Sequence, residues 1–195
     1  MDQEKHRVLE KIAKASMEKC MANLSRVSAG KWHVGGVKVT RRSMEESIHG
    51  HAEADRVMAA VYFQVKGEYP FTSMVIFRPE DVELLSRGFL GFSFSKLPGL
   101  TQAQELLISE LGNVILNSFI SALSNALHRS FLPSAPKYVN GATQFLLEAL
   151  WATIDGDQPH SLVTVALDLH CDNSITRSEV VAVIPERLER ALMAG

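Results

Sequence analysis

Hydrophobic and polar residues alternate along the chain with two different periods, and these periods predict a mixture of helices and strands. Residues 3–28 carry apolar or small side chains on one helical face, at Leu9, Ile12, Ala13, Ser16, Cys20, Leu24 and Val27. Runs rich in Val, Ile and Phe predict strands near residues 32–39, 57–65 and 71–77. A short helix is expected from Pro79, since proline and the two acids after it suit a first helical turn.

The second half of the chain repeats this order of elements. We expect a long helix over residues 101–129 that Pro133 and Pro136 bring to an end. After it the pattern predicts a strand at 137–139, a helix at 142–154, strands near 162–170 and 180–184, and a last helix from Pro185. Leu24-Ser25 aligns with Leu123-Ser124, an offset of 99 (123 minus 24). Each half ends with a short helix that begins at Pro-Glu.

This repeat predicts an α+β fold with a pseudo-two-fold axis. The expected architecture is a continuous, largely antiparallel sheet with the two long helices packed together. Neither half alone has much core, so we expect a single domain over residues 1–195, with internal halves of about 1–95 and 96–195.

Composition excludes several classes of function. The chain is 46% hydrophobic and 22% charged with a formal net charge of −2, and it has no basic run that would favour nucleic acid. Its N-terminus is charged and lacks the apolar segment of a signal peptide. No apolar stretch is expected to span a membrane, because Glu148 interrupts the best candidate at 145–154. The two cysteines, Cys20 and Cys171, lie far apart, which favours a cytoplasmic protein with both thiols buried.

The second long helix carries a narrow polar stripe. At about 100° per residue, one arc of roughly 80° holds the side chains of Glu110, Asn113, Asn117, Ser121, Ser124 and His128. The rest of the circumference is mostly apolar, so we expect Glu110 and Asn113 to be exposed. The expected buried set is Leu107, Leu111, Val114, Ala122 and Ala126. A Glu and an Asn three residues apart are also common on helices that have no function in this region.

The stripe and the residues after it resemble the CheC/CheX family of chemotaxis phosphatases. That family has E-x-x-N on a long helix, then twenty-two further residues, then a proline. This sequence has Glu110 and Asn113, then residues 114–135, then Pro136. The resemblance implies hydrolysis of the aspartyl phosphate of a CheY-like response regulator. It assigns water orientation to Asn113, and docking on a receiver lysine to Glu110. The remaining stripe residues, Asn117, Ser121 and Ser124, would contact the receiver, and Pro136 would be structural.

The resemblance also implies partners and leaves an alternative open. The protein would need no cofactor of its own, because the receiver carries Mg²⁺, and a CheD-type deamidase is a second candidate partner. Two departures from the family pattern stand out. Leu106 replaces its Asp or Ser, and Lys11 and Lys14 stand opposite Glu110 and Asn113 in the first helix, where a second site would lie. The alternative is therefore a non-catalytic module, related to flagellar-switch domains, that binds the receiver or a CheD-type deamidase. For either function, both a monomer and a strand-paired dimer stay open.

Two smaller expectations complete the sequence prediction. His49 and His51 could both face a metal ion, but no third ligand lies nearby in sequence, so we expect no metal site. Trp32 and Trp151 are expected in the core.

Overall fold

The computed structural model describes residues 2–43, 46–47, 56–91, 101–154 and 158–194. Within these ranges the helices are α1 (Asp2–Val27), α2 (Pro79–Leu90), α3 (Thr101–Leu127), α4 (Thr143–Trp151) and α5 (Glu186–Ala194). The strands are β1 (Trp32–Arg42), β2 (Val57–Lys66), β3 (Phe71–Phe77), β4 (Leu132–Pro133), β5 (Lys137–Ala142), β6 (His160–Cys171) and β7 (Ser174–Pro185). The expected division near residue 95 falls outside the described residues, as do His49 and His51.

The described strands form one sheet in the order β1-β6-β7-β3-β2, with β4 and β5 both pairing with β2. Every pair of neighbouring strands is antiparallel. The order is symmetric about the contact between β7 and β3, because β1 beside β6 in one half of the sheet matches β5 beside β2 in the other. The α+β fold with its largely antiparallel sheet is thus confirmed.

The two long helices lie together on one face of this sheet. On α1 the buried stripe contains Ala13, Met17, Cys20 and Leu24, each 0% exposed. The thiol of Cys20 donates a hydrogen bond to the carbonyl oxygen of Val114 on α3, with a donor–acceptor distance of 3.8 Å. Burial of each large side chain in this layer contributes roughly 1.5–3 kcal/mol. This layer therefore fixes where α3, the helix with the polar stripe, lies on the sheet.

The opposite face of the sheet is covered in part by α4. Leu146, Leu147 and Leu150 of this helix are buried against a second apolar cluster that includes Met74 and Val181. The covered part lies beside β3, β7 and the start of β6. The polar stripe of α3 is thus on the other side of the sheet from α4.

Several expectations about the elements are wrong, and each has a physical reason. Val27 is 68% exposed, because it is the last residue of α1 and follows Leu24, where the buried stripe of the helix ends. Trp151 ends α4 and is 40% exposed, with its ring edge-on to His160 at 6.1 Å. The long helix ends at Leu127 rather than near 129, since His128 has a left-handed backbone with φ 52°.

Among the described residues, the helix that comes nearest to a membrane span is α3 and not the stretch at 145–154. Residues 102–127 of α3 are long and apolar enough to cross a bilayer by length and composition, and half of the apolar window is buried inside the protein. A helix packed into a core passes the same test. Trp32, Cys20 and Cys171 are buried, as expected.

Candidate functional site

The polar stripe of α3 is held in place by a close contact on the other side of the helix. A Cβ atom added at Gly112 would lie 2.7 Å from Cβ and 2.8 Å from Cγ2 of Val61 on β2. Glycine therefore lets α3 approach the sheet more closely than any other residue would. Glu110, about 200° around the helix from Gly112, consequently points away from the sheet.

The two signature residues are accessible, though to different degrees. Glu110 is exposed and Asn113 is half-buried, so the expected exposure is confirmed for the glutamate and partly met for the asparagine. The amide nitrogen of Asn117 donates a hydrogen bond of 2.7 Å to the side-chain oxygen of Asn113. This bond restricts the rotation of Asn113 and leaves its own amide hydrogens for another acceptor. The site therefore has the oriented carboxamide of Asn113 one helical turn from the exposed carboxylate of Glu110.

The C-terminal residues of the stripe lie at the end of the helix and make contacts there. Ser121 is exposed, but the hydroxyl of Ser124 donates to the backbone carbonyl of Arg129. His128 lies beyond the end of α3 and outside the helical stripe. Of the sequence-predicted residues, Glu110, Asn113, Asn117 and Ser121 are therefore the ones with side chains available along one surface.

The apolar flank of the stripe differs from the expectation. Leu107 and Leu111 are buried, as expected, with 5% and 0% exposure. Val114 and Ala122 are only half-buried, and Ala126 is exposed, so its expected burial is wrong. The reason is that α1 and α3 do not close completely over these positions, since short side chains leave the space between the helices open.

The result is a groove of about 800 Å³ between α1 and α3. Asn113, Asn117 and Ser121 line it from α3, and Lys11, Lys19 and Asn23 line it from α1.

The direction of the two helices follows from one contact and the extent of the groove. Cys20 touches Val114, and from that contact the groove extends toward Val8 on α1 and toward Ala126 on α3. Residue numbers thus decrease along one wall as they increase along the other, so the helices are antiparallel.

This direction brings Lys19 and Asn23 to the same end of the groove as Asn113, and neither residue was expected in the site. Lys11 lies toward the other end, while Lys14 is exposed but does not line the groove. The pseudo-two-fold offset of 99 aligns Asn113 with Lys14, so it gave no signal for Lys19 or Asn23.

Neither cysteine is a candidate nucleophile. Burial raises the pKa of the Cys20 thiol to about 11, with a hydrogen bond from Ser118 acting in the opposite direction. Burial also raises the pKa of Cys171 to about 11, and the nearby carboxylate of Asp172 adds to the effect. Both thiols therefore stay protonated and unreactive near neutral pH. Among the described residues no three His, Cys, Asp or Glu side chains cluster as a metal site would require.

Pro136 lies immediately before β5 and is half-buried. The next residue, Lys137, pairs with Tyr62 at the start of the ladder between β5 and β2. A proline suits this position because it has no N–H to offer the sheet. Leu106, one turn before Glu110, is 65% exposed, so the family's Asp or Ser is replaced by an apolar side chain on the surface.

The fold is that of CheC/CheX-like proteins. No protein-family model and no curated protein sequence matches this chain. Among solved structures, it is similar to FliY of Thermotoga maritima with a TM-score of 0.74 and 14% identity, over 98% of this chain and 94% of that chain. It is also similar to the CheX–CheY–BeF3–Mg²⁺ complex from Borrelia burgdorferi, with a TM-score of 0.53 and 12% identity, over 88% and 96%. The FliM middle domain from H. pylori matches with a TM-score of 0.59 and 11% identity, over 100% and 99%.

Proposed function

We propose that this chain is a phosphatase for the aspartyl phosphate of a CheY-like receiver, acting through Glu110 and Asn113. The observation that carries the proposal is the exposed Glu110 one turn from an Asn113 that Asn117 holds in one orientation. The CheC/CheX-like fold supports it, because a CheX of the same fold has been solved together with CheY. Location in the cytoplasm and a CheD-type partner stay predictions.

The reaction needs little chemistry from this protein. Water attacks phosphorus as the bond from phosphorus to the aspartyl oxygen breaks, releasing the receiver's carboxylate and inorganic phosphate, with the water proton passing to a phosphoryl oxygen. Receiver-bound Mg²⁺ and lysine neutralise the phosphoryl charge, so positioning of the water is the remaining task. The Asn113 carboxamide can accept from this water and donate to it, because it has both an oxygen and an N–H₂ group. No metal or cofactor of its own is required.

Glu110 is assigned to docking. Its exposed carboxylate can pair with the receiver lysine, which sets the register of α3 over the phosphorylation site. Asn117 is a positioning residue in this scheme, since it acts through the side-chain oxygen of Asn113.

The test compares receiver binding with phosphate release for the wild type, Asn113→Ala and Glu110→Ala. Asn113→Ala should lower kcat by on the order of 10²–10³ with receiver affinity nearly unchanged, because its amide acts in the transition state. Glu110→Ala should weaken both affinity and turnover, and more so at low salt. Wild-type protein that binds the phosphorylated receiver without accelerating dephosphorylation would refute the enzyme assignment.

The alternative is a binding module that engages a receiver without hydrolysis. The exposed Leu106 favours it, since an apolar side chain stands where the family has Asp or Ser. Similarity to the FliM middle domain is consistent with the same alternative. The orientation of Asn113 by Asn117 favours the phosphatase, because a docking surface has no need of a fixed amide.

A further inference from the structure

The groove between α1 and α3 has a floor that an ordinary surface helix would not expose. Val8 and Ile12 are half-buried and Ala15 is exposed, at a spacing that places them along one line of α1. Ala122 and Ala126 face them from α3. The alanine side chains allow the backbone of another helix to approach closely, so the floor has the shape and chemistry of a helix-docking surface.

The α1 wall of the groove is positively charged without internal compensation. Lys11 and Lys19 both line it, eight residues or about 12 Å apart along the helix. On α1 no acidic residue stands three or four positions from either lysine, the spacing at which helical side chains pair. No carboxylate is found among the described residues that line the groove, and none of the salt bridges between described residues involves these two lysines.

Lys14 provides a matched comparison on the same helix. It is exposed like the other two lysines but does not line the groove. Glu10 and Glu18 stand four residues before and after it, which is a spacing at which helical side chains can pair. Lys11 and Lys19 therefore differ from Lys14 in two ways: they line the groove, and they have no acidic residue at that spacing.

From the apolar floor and the two lysines that line the groove we infer that it binds an amphipathic helix of a protein partner, with carboxylates on the side that faces α1. Val8 to Asn23 span fifteen residue steps, or about 22 Å, which fits a partner helix of about four turns. Acidic residues seven or eight positions apart on that helix reach Lys11 and Lys19. Amides and hydroxyls on the α3 wall, at Asn117 and Ser121, contact its polar edge.

The position of Asn113 at one end of the groove gives this binding a consequence. A helix that fills the groove covers part of the Asn113 side chain, so partner binding and receiver docking compete. Only this consequence depends on the proposed phosphatase function, because the groove itself is defined without reference to it.

The experiment uses a fluorescently labelled synthetic peptide of about 16 residues, with Leu and Ala on one helical face and two Glu residues eight positions apart. Anisotropy should show binding to the full chain. Lys11→Glu/Lys19→Glu should weaken binding at least tenfold at low salt, and Lys14→Glu should leave it within about twofold. A peptide with Lys in place of both Glu residues should prefer the double variant, which rules out simple unfolding.

Three results would overturn the inference. A scrambled peptide that binds as tightly as the designed one would show that no amphipathic helix is recognised. Equal losses of affinity for Lys14→Glu and the double variant would show non-specific charge attraction. Light scattering that finds a dimer which Lys11→Glu/Lys19→Glu dissociates would mean that a second copy of this chain fills the groove. Peptide binding without any phosphatase activity would refute the proposed function and leave this inference standing.

Discussion

Gly112→Ala tests whether α3 is held against the sheet as closely as the site requires. The new Cβ would lie 2.7 Å from Cβ, 2.8 Å from Cγ2 and 3.1 Å from Cγ1 of Val61. Val61 is 0% exposed, and its Cβ is fixed by the strand, so rotation of its side chain cannot relieve the closest contact. Carbon atoms in ordinary contact lie about 3.5–4.0 Å apart, so α3 must move by roughly 1 Å.

The magnitude follows from two opposing terms. Overpacking of a tight core typically costs about 1–3 kcal/mol, while alanine in place of glycine in a helix contributes about 1 kcal/mol of stability. We therefore expect the free energy of unfolding to fall by about 0–2 kcal/mol in urea denaturation. Because Asn113 is the next residue, the same displacement should lower phosphate release by up to about 10²-fold.

Gly141→Ala is the control, because its Cβ would meet Leu146 Cδ2 at 3.7 Å, an ordinary contact. That variant should stay within about 0.5 kcal/mol of the wild type. A double-mutant cycle with Val61→Ala should show favourable coupling, since removing Cγ1 and Cγ2 relieves part of the clash. If Gly112→Ala is more stable than the wild type by about 1 kcal/mol, as helix propensity alone would give, the close approach of α3 to β2 is not a constraint and the reasoning fails.

Three further predictions concern other parts of the molecule. Arg41→Ala should lower the free energy of unfolding by about 2–4 kcal/mol, because Arg41 Nε and Nη2 lie 2.7 and 2.9 Å from the carboxylate of Glu189, whose side chain is 1% exposed. Thermal or urea unfolding measures this free energy, and a loss below about 0.5 kcal/mol would contradict the prediction. Lys11→Ala and Lys14→Ala should leave receiver dephosphorylation almost unchanged, whereas a tenfold loss, worth about 1.4 kcal/mol, would make α1 part of the site. Leu106→Ala should leave stability unaltered and weaken receiver binding by about 1 kcal/mol in calorimetry, because the exposed side chain would lose apolar contact with the partner; unchanged affinity would exclude Leu106 from the interface.

Much of the fold could be predicted because the sheet and the long helices each bury a regular stripe. The apolar positions Ala13, Cys20 and Leu24 gave α1 correctly, and they are all fully buried. The same rule failed for Val27 and Trp151, which end their helices. Periodicity says which face of a helix is apolar, but it does not say where the neighbouring layer stops.

The candidate site was predictable only as far as one helix extends. Glu110, Asn113 and Asn117 share a face because of their spacing, which follows from helical geometry alone. Lys19 could not be placed beside Asn113 in this way, because that proximity depends on how α1 crosses α3. The open groove depends in turn on how short the side chains of Ala122 and Ala126 are compared with the gap between the helices.

The strand at one end of the sheet bears on how the protein behaves at high concentration. β1 pairs with β6 alone among the described strands, so its other edge offers backbone N–H and C=O groups that could recruit a strand from another molecule. Its pairing with β6 is interrupted between Val34 and Gly36, and Lys38 and Arg42 are exposed charges along it. An interruption of this kind twists a strand, and lysine or arginine along it would bring like charges together in a pair of such edges. This edge is therefore protected against growth of the sheet from one molecule into the next.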